Sequence, residues 1–338
     1  MNLRNLKEIR QTARQSLAAN KGNPTTAAAI YAGVSCALAL IATLVSYYLN
    51  HQISETGGLS NIGLRSILST INFVLPLVQG VVMMSLGLGY CALALDVARK
   101  RPAKAETLRE GFYKFFPLLR TVLLQGFLYT GVAIACVYVS SWIFMMLPAS
   151  EAFYQIMEPY LTSTSMLSTG LVIDDATLMA AAATMKPMIP IFLVVACVVI
   201  LPMCYRYRMV SYCLLDSGRP GAFAALRESR MMMRRNRFAM FRLDLSFWWF
   251  YLLEALAMVV CYGDLLLPMA GVTLPWSDTI SYFLFYCLSL AMQFVVYYLF
   301  LNHVQVTYAT AYETLRPKPQ SGGVPLGNIF DLARDYRK

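Results

Sequence analysis

Few residues in this sequence have the types and spacing that enzyme chemistry requires. The chain contains no G-x-S-x-G, no H-E-x-x-H and no Walker loop, which are patterns of serine hydrolases, zinc proteases and nucleotide-binding sites. Its two histidines, His51 and His303, are expected on opposite sides of a membrane, and its eight cysteines form no C-x-x-C pair. The sequence therefore predicts no catalytic residue, no metal site and no cofactor, and we do not expect an enzyme.

Glu254 has the most informative position of any single residue. It lies twelve residues after Arg242 in an apolar segment, which is about 18 Å along a helix and near the middle of a ~30 Å hydrocarbon core. A carboxyl group at that depth must be neutral, paired or next to a polar cavity, because an isolated charge there is costly. The polar side chains expected at similar depth are Gln293, Tyr297, Gln125 and Gln79. Two interpretations stay open: an acid that contacts substrate or carries a proton, and a neutral acid hydrogen-bonded between helices.

Charged residues near the ends of the apolar segments form a second group of candidates. Asp244 and His303 are expected near the same end of their segments, where a structural pair is predicted. Arginines at that end can keep their stems in apolar surroundings and reach the phosphate of anionic lipid headgroups. These candidates are Arg109, Arg120, Arg227, Arg230, Arg234, Arg235, Arg237 and Arg242. Ordinary anchoring of the protein by positive charge is the alternative interpretation.

The elements that must position these residues are membrane spans. The sequence is 58% hydrophobic and only 14% charged, whereas soluble domains carry about 25% charged residues. Six apolar segments exceed the roughly 18 residues that suggest a span; they lie at about 27–49, 76–98, 115–147, 187–210, 243–263 and 280–308. We therefore predict an all-α polytopic transmembrane helical bundle with short interfacial helices. Pro76 is expected to open the second span, which leaves 62–75 as a separate interfacial helix.

The positive charge follows the predicted topology. The formal net charge is +10, and 25 of the 28 Lys and Arg residues fall in segments 1–26, 99–114, 206–242 and 309–338. These segments alternate along the chain and share one side, a positive-inside pattern that places both termini in the cytoplasm. Because topology accounts for the charge, we expect membrane lipids as partners and no nucleic acid.

One sequence frame occurs twice on the basic side. RPAKAETLRE (101–110) and RPGAFAALRE (219–228) share the pattern R-P-x5-L-R-E. Each copy follows an aspartate, Asp96 in the first and Asp216 in the second. We predict two parallel helical hairpins, at about 76–126 and 198–248, each with a short interfacial helix begun by Pro102 or Pro220.

The predicted organisation has three parts. Residues 1–26 form an amphipathic segment expected to lie on the cytoplasmic leaflet, since Leu3, Leu6, Ile9, Ala13 and Leu17 recur at helical spacing. Residues 27–308 form the six-span membrane domain, and residues 309–338 form a cytoplasmic tail.

Several stretches resemble a known family. YRYRMVSYCLLD supplies Tyr205, Tyr207, Tyr212 and Asp216, and SRMMMRRNRFAMFRLDLSF supplies Ser229, Met233, Asn236, Arg237, Phe238, Phe241 and the run 243–247. YATAYETL supplies Tyr312, Glu313 and Leu315, and RQTARQSLAAN supplies Arg10, Ala13, Leu17 and Asn20. Together they resemble a bacterial integral-membrane family catalogued as domain of unknown function 975. The chain departs from its pattern at Pro202 and in the long outer connection 148–186. The resemblance implies a multi-pass protein of the bacterial cytoplasmic membrane and supplies no catalytic residues.

The function expected from these features is binding or movement of a lipid or other small amphiphile through the helical bundle. A non-transporting accessory protein, which serves partner assembly or envelope stress, is the alternative. A membrane-embedded enzyme that modifies lipids is a third, less favoured hypothesis.

Overall fold

The computed structural model describes residues 6–55, 62–162, 175–216, 221–269 and 276–316. The fold is all-α, as predicted, and no strand occurs in these ranges. The helices are α1 (Leu6–Ala18), α2 (Pro24–Glu55), α3 (Ile62–Ala98), α4 (Glu110–Tyr113), α5 (Phe115–Met145), α6 (Pro148–Thr162), α7 (Asp175–Thr184), α8 (Met188–Arg206), α9 (Val210–Asp216), α10 (Ala222–Met233), α11 (Arg237–Leu245), α12 (Trp248–Cys261), α13 (Gly263–Met269), α14 (Asp278–Val296) and α15 (Asn302–Leu315). A 3-10 helix (Ala105–Arg109) precedes α4, and a π-helical segment (Tyr297–Leu301) joins α14 to α15.

Within the described ranges, five helices and one bent pair are long and apolar enough to cross a membrane. The five are Pro24–Ile53, Ser66–Ala98, Phe115–Met145, Met188–Asp216 and Thr279–Leu315, and the bent pair is α11 with α12. They match the six predicted spans in number and order, and the last span continues beyond residue 308 into the predicted tail. Large apolar side chains on these spans point outward, as lipid contact requires. Tail residues beyond 316 lie outside the described residues.

The second span differs from its prediction at Pro76. No separate interfacial helix covers 62–75, because α3 continues through the proline. A proline inside a helix removes one backbone hydrogen bond, and side-chain bonds hold the outer end of α3 against α2. Ser46 donates to Asn72, and the Asn72 amide donates to Asn50 over 3.1 Å. These contacts stabilise the helix on the outer side of the proline.

The fifth span is bent, whereas the sequence predicts a continuous apolar segment. α11 and α12 meet at an angle of 63°. The break falls at Ser246 and Phe247, where the Ser246 hydroxyl donates to the Leu243 carbonyl over 2.6 Å and the Phe247 ring is buried. Glu254 therefore lies six residues into a new helix, or about 9 Å along α12, rather than 18 Å along a straight span.

The N-terminal helix is part of the bundle and does not only lie on the leaflet. The apolar face of α1 packs against α15 and α3, and Ile9, Ala13 and Ser16 are buried. The Asn20 amide then donates to the Arg101 carbonyl over 2.8 Å, which ties the end of this segment to the loop after α3. The amphipathic pattern is correct, but protein rather than lipid covers its apolar face.

In each repeat frame a short helical segment lies between two candidate spans. In the first copy the short helix begins at Ala105, so the prediction that Pro102 opens it is wrong. In the second copy α10 begins at Ala222, and Pro220 lies outside the described residues. The first copy packs tightly on α3: a Cβ atom on Gly89 would clash with the Leu108 carbonyl, and one on Gly111 with the Ser85 carbonyl. Close approach thus requires glycine at these two positions.

The buried core lies at one end of the bundle. It consists mainly of residues 88–97, 209–214, 225–243 and 301–315, at the ends of α3, α9 and α15 and on α10 and α11. The basic loops and α1 share this end, which we call the basic end. Fixed packing at the basic end gives its side chains defined positions.

Candidate functional site: an arginine-lined pocket

Helical spacing brings the basic residues of α10 to one side. Arg227, Arg230 and Arg234 follow one another at intervals of three and four residues, so they share one face across the end of α10. Ala225, Leu226, Ser229 and Met233 occupy the opposite face and are buried. The apolar face of α10 packs against α9, α5 and α8. Packing of one face therefore presents the arginines of the other face together.

These arginines line a cavity of about 460 Å³. Its lining consists of Arg206, Arg227, Arg230, Met231, Arg234 and Arg237, and none of these described lining residues is acidic. The Nε atoms of Arg206 and Arg237 are buried and have no hydrogen-bond partner within the described part of the chain. We call this cavity the arginine pocket. Its walls come from three helices, because Arg206 ends α8, Arg237 begins α11 and the others belong to α10 and the turn after it.

Hydrogen bonds at the chain reversals hold the three walls together. The Ser229 hydroxyl donates to the Arg206 carbonyl over 3.3 Å, which joins α10 to the end of α8. The Asn236 side chain donates to the Met232 carbonyl over 2.9 Å, and Asn236 also precedes the first residue of α11. Both bonding residues belong to the stretches that carry the family resemblance.

Four of the eight predicted headgroup arginines do not line the pocket. Arg109, Arg120, Arg235 and Arg242 are exposed at other positions of the basic end. Arg206 lines the pocket although the sequence analysis did not select it. The sequence feature that could have identified Arg206 is its place in YRYR (205–208). Arg206 lies in the last turn of α8, and a cation is favourable near a helix C-terminus.

Asp244 forms a cluster with tyrosines and an arginine, and it does not pair with His303. Tyr205 and Tyr308 donate to the two carboxylate oxygens over 2.8 and 2.6 Å, and Arg208 lies 3.5 Å away. The Arg208 guanidinium also stacks over the Tyr308 ring at 4.8 Å. This cluster joins the end of α8 to α11 and α15.

His303 lies instead in a separate cavity of about 320 Å³. Arg10 and Arg14 of α1, with Phe247, Trp249, Phe300 and Thr307, complete its lining. The Arg10 guanidinium stacks over the Phe247 ring at 5.3 Å. α1 thus contributes basic side chains to the bundle, which the sequence analysis did not anticipate.

A network of charges joins the ends of three spans. Arg99, just after α3, donates to Asp216 over 2.9 Å and to Glu313 over 2.7 Å. Asp216 also lies 2.8 Å from the Arg316 Nε and accepts a 3.2 Å hydrogen bond from Tyr312. Partial burial lowers the pKa of Arg99, but the bonds to Glu313 and Asp216 outweigh this effect and raise it. Arg99 therefore stays charged and fixes the spans relative to one another.

Glu228, which ends the second repeat frame, lies close to this network. Partial burial and the nearby Asp216 carboxylate raise the pKa of Glu228 above its ordinary value, and Arg316 partly offsets the shift. The acidic side chain of α10 therefore interacts with the charge network, while the arginines of α10 line their own pocket.

The Glu254 carboxyl group lies between two helices. Its partner is Tyr297, the first residue of the π-helical segment, and the Gln293 amide donates to the Tyr297 hydroxyl over 3.2 Å. Gln125 lies on α5, which packs mainly against α8. Gln79 lines another cavity, of about 620 Å³, together with Asp264 and residues of α2, α3 and α14. Of the four expected neighbours, Tyr297 thus contacts Glu254 directly, and Gln293 is connected to it through Tyr297.

The described ranges contain no group of three His, Cys, Asp or Glu side chains that could hold a metal ion. The arrangement that they do contain is suited to binding an anion, because the pocket has a surplus of guanidinium donors.

A family model described as "Protein of unknown function (DUF975)" matches residues 1–318. The chain belongs to this family. No match was found among curated proteins or among solved structures. The residues that carry the DUF975 resemblance converge at the basic end: Asp216 and Tyr312 meet in the charge network, and Tyr205 donates to Asp244.

Proposed function

We propose that this DUF975 member binds an anionic lipid by its phosphate headgroup at the arginine pocket. The observation that supports the proposal is a cavity lined by five guanidinium groups, of which two have buried Nε atoms without a partner in the described chain. Five like charges repel one another, and a buried donor without an acceptor costs about 1–3 kcal/mol. An anion in the cavity removes both costs.

The chemistry of the pocket favours phosphate. Guanidinium groups bind phosphate through paired, charge-assisted hydrogen bonds. The surroundings favour a lipid source, because Met231, Phe223 and Phe238 are exposed beside the basic residues. Apolar side chains at that level can enter the boundary between headgroups and acyl chains.

We propose further that the arginine pocket faces the cytoplasm in the bacterial cytoplasmic membrane, and the concentration of Lys and Arg at the basic end supports this orientation. The proposal is for binding and does not include movement through the bundle. Glu254 lies between helices with Tyr297, and it lines none of the three cavities described above. An accessory role that depends on lipid binding agrees with this arrangement.

Native mass spectrometry of the detergent-solubilised protein, titrated with phosphatidylglycerol or phosphatidylcholine, tests the proposal. The wild type should retain phosphatidylglycerol preferentially. A variant with Arg230→Gln and Arg237→Gln loses two charge-assisted contacts of about 1.5 kcal/mol each, so its affinity should fall about 100-fold. Arg235→Gln is the matched control, because Arg235 is an exposed neighbour outside the lining.

The control should bind within about twofold of the wild type if the pocket rather than general charge holds the lipid. Equal losses in the double variant and the control would show that binding is a diffuse effect of surface charge. Unfolding midpoints of all three proteins establish that the variants are folded.

A further inference from the structure

We infer that the cavity of about 620 Å³ beside Asp264 binds a primary ammonium group. We call this cavity the acidic cleft, and its lining includes Tyr47, Asn50, Gln79, Asp264 and Tyr282. The inference concerns a second site and does not depend on the arginine pocket. It follows from the charge of the lining, from two polar side chains that have no described partner and from two tyrosine rings that are held in place.

The acidic cleft lies away from the basic end of the bundle. Ala42, its first lining residue on α2, is 18 residues after Pro24, whose carbonyl accepts a 3.1 Å hydrogen bond from the buried Asn302 amide at the basic end. Eighteen helical residues extend about 27 Å, which is close to the ~30 Å thickness of a hydrocarbon core. The acidic cleft and the arginine pocket are therefore separate sites near opposite membrane boundaries.

The charge of the acidic cleft selects a cation. Asp264 is the only charged residue among its described lining residues, and within the described ranges no Lys, Arg or His pairs with the carboxylate. This carboxylate repels an anion and attracts a cation. The described residues provide no group of three His, Cys, Asp or Glu side chains that could hold a metal ion. The favoured ligand is therefore an organic cation.

Hydrogen bonds between helices hold the walls of the acidic cleft. The Asn72 amide donates to Asn50 over 3.1 Å, which joins α3 to α2. The Tyr47 and Thr279 hydroxyl groups lie 3.4 Å apart, which joins α2 to α14. Asn50, Tyr47 and Thr279 all line the cleft, so most of its polar side chains bond to the protein itself.

Two polar side chains of the acidic cleft are left for a ligand. Gln79 and Asp264 have no hydrogen-bond partner within the described part of the chain. Gln79 offers a carbonyl acceptor and Asp264 offers two carboxylate oxygens, while a primary ammonium group has three N–H donors. A quaternary ammonium group has no N–H and leaves these acceptors without partners. The acceptors therefore favour a primary ammonium group among organic cations.

Two tyrosine rings add to the attraction. Tyr47 packs edge-on against Phe283 with ring centroids 5.1 Å apart, and Tyr282 stacks with Tyr286 at 6.1 Å. These contacts hold the rings of the lining in place, and a cation is attracted to the face of an aromatic ring. Asp264 interacts electrostatically with Tyr282, so a carboxylate and a ring act on the same part of the cleft.

The size of the acidic cleft allows two sources of the ammonium group. Its volume of about 620 Å³ lies within the range of about 300–1,000 Å³ that holds small-molecule ligands. The ammonium group can belong to a lipid headgroup or to a soluble amine. The two sources share the chemistry that the cleft recognises, and the experiment below distinguishes them.

Native mass spectrometry of the detergent-solubilised protein with phosphatidylethanolamine or phosphatidylcholine tests the lipid source. The two lipids have the same phosphodiester and acyl chains and differ only in N-methylation, so the arginine pocket contributes equally to both. If the ligand is a lipid, the wild type should retain phosphatidylethanolamine about tenfold more strongly, as loss of one charge-assisted hydrogen bond predicts. Asp264→Asn should abolish this preference.

Unfolding midpoints measured with ethanolamine or choline, at equal ionic strength, test the soluble source. If a soluble amine is the ligand, ethanolamine should raise the midpoint of the wild type more than choline does, because a ligand that binds only the folded state stabilises it. Asp264→Asn should again abolish the difference. A preference for ethanolamine in both assays indicates that the headgroup is sufficient, and a preference confined to the lipids indicates that the acyl chains are required.

Three variants make the assignment to the acidic cleft specific. Glu151→Gln is the matched control, because Glu151 lies in the first turn of its helix as Asp264 does but does not line the cleft. It should keep the preference. Gln79→Met removes an amide without changing the charge and should weaken the preference, so it decides the case if Asp264→Asn does not fold. The double variant with Arg230→Gln and Arg237→Gln should keep the preference, whatever its effect on phosphate binding.

Two results would overturn the inference. One is the lack of any preference in the wild type, both between the two lipids and between ethanolamine and choline. The other is a preference that persists in Asp264→Asn and in Gln79→Met, which would place the ammonium site elsewhere in the protein. Neither result affects the arginine pocket, whose test uses phosphatidylglycerol and other variants.

Discussion

Asp216→Asn should destabilise the protein, whereas Asp96→Asn, at the equivalent place in the first repeat copy, should have little effect. The Asp216 side chain is only 13% exposed and has Arg99 and Arg316 within 2.9 Å. Asp96 has Arg101 at 3.9 Å, and the Arg101 side chain is 66% exposed. The repeat thus provides a matched pair of aspartates, of which only one is tightly bound.

The magnitude follows from the partners of Asp216. The Arg99 bond belongs to the class that contributes about 1.5–3 kcal/mol, while the Arg316 bond contributes less than about 1 kcal/mol because that side chain is 41% exposed. The asparagine amide can keep the Tyr312 bond, and loss of the negative charge relieves the repulsion of Glu228. The expected net loss is about 2 kcal/mol for Asp216→Asn and less than about 1 kcal/mol for Asp96→Asn.

Equilibrium unfolding in mixed micelles, followed by circular dichroism, measures both free energies under the same conditions. The two variants should differ from each other by more than about 1 kcal/mol. Equal effects of the two substitutions, or no effect of Asp216→Asn, would refute the view that the charge network fixes the ends of the spans.

Three further predictions follow from single contacts. Glu228→Gln should stabilise the protein at pH 7 and lose this advantage toward pH 4. Because the pKa of Glu228 is raised in the folded protein, the contribution of Glu228 to stability is present below its ordinary pKa of 4.5 and is lost as the pH rises through the folded value. Unfolding measured across this pH range tests the prediction. Glu254→Gln should leave the unfolding midpoint unchanged, because an amide still bonds to Tyr297, whereas Glu254→Leu should cost about 1–3 kcal/mol; a tolerated leucine would contradict a structural role. Gly111→Ala should cost at least about 1–3 kcal/mol, because the added Cβ atom overlaps the Ser85 carbonyl. Gly126→Ala has open space around it and should stabilise the helix by about 0.5–1 kcal/mol in the same assay. Similar effects at both sites would contradict the close packing on α3.

The number and order of the spans could be predicted from the sequence because hydrophobic length is a local property. The course of each span could not, because it depends on contacts. Pro76 would normally begin a helix, yet Asn72 and its partners on α2 hold the preceding turns in line. The bend at Ser246 falls inside the predicted span 243–263, and no proline or glycine marks it.

The side-chain partners were harder to predict than the helices. Asp244 and His303 have suitable depth, but depth does not give the direction in which a side chain points round its helix. Asp244 points toward Tyr205 and Tyr308, and His303 points toward α1. The arginine stripe of α10 could be identified from its spacing, whereas Arg206 joins it only because the chain reverses between α8 and α10.

A density map of the protein in nanodiscs that contain anionic lipid would test the central claim most directly. The account predicts phosphate density inside the arginine pocket, within hydrogen-bond distance of Arg206, Arg230 and Arg237. A pocket closed by an acidic side chain of the protein, or headgroup density only around the exposed Arg109, Arg120 and Arg242, would contradict it.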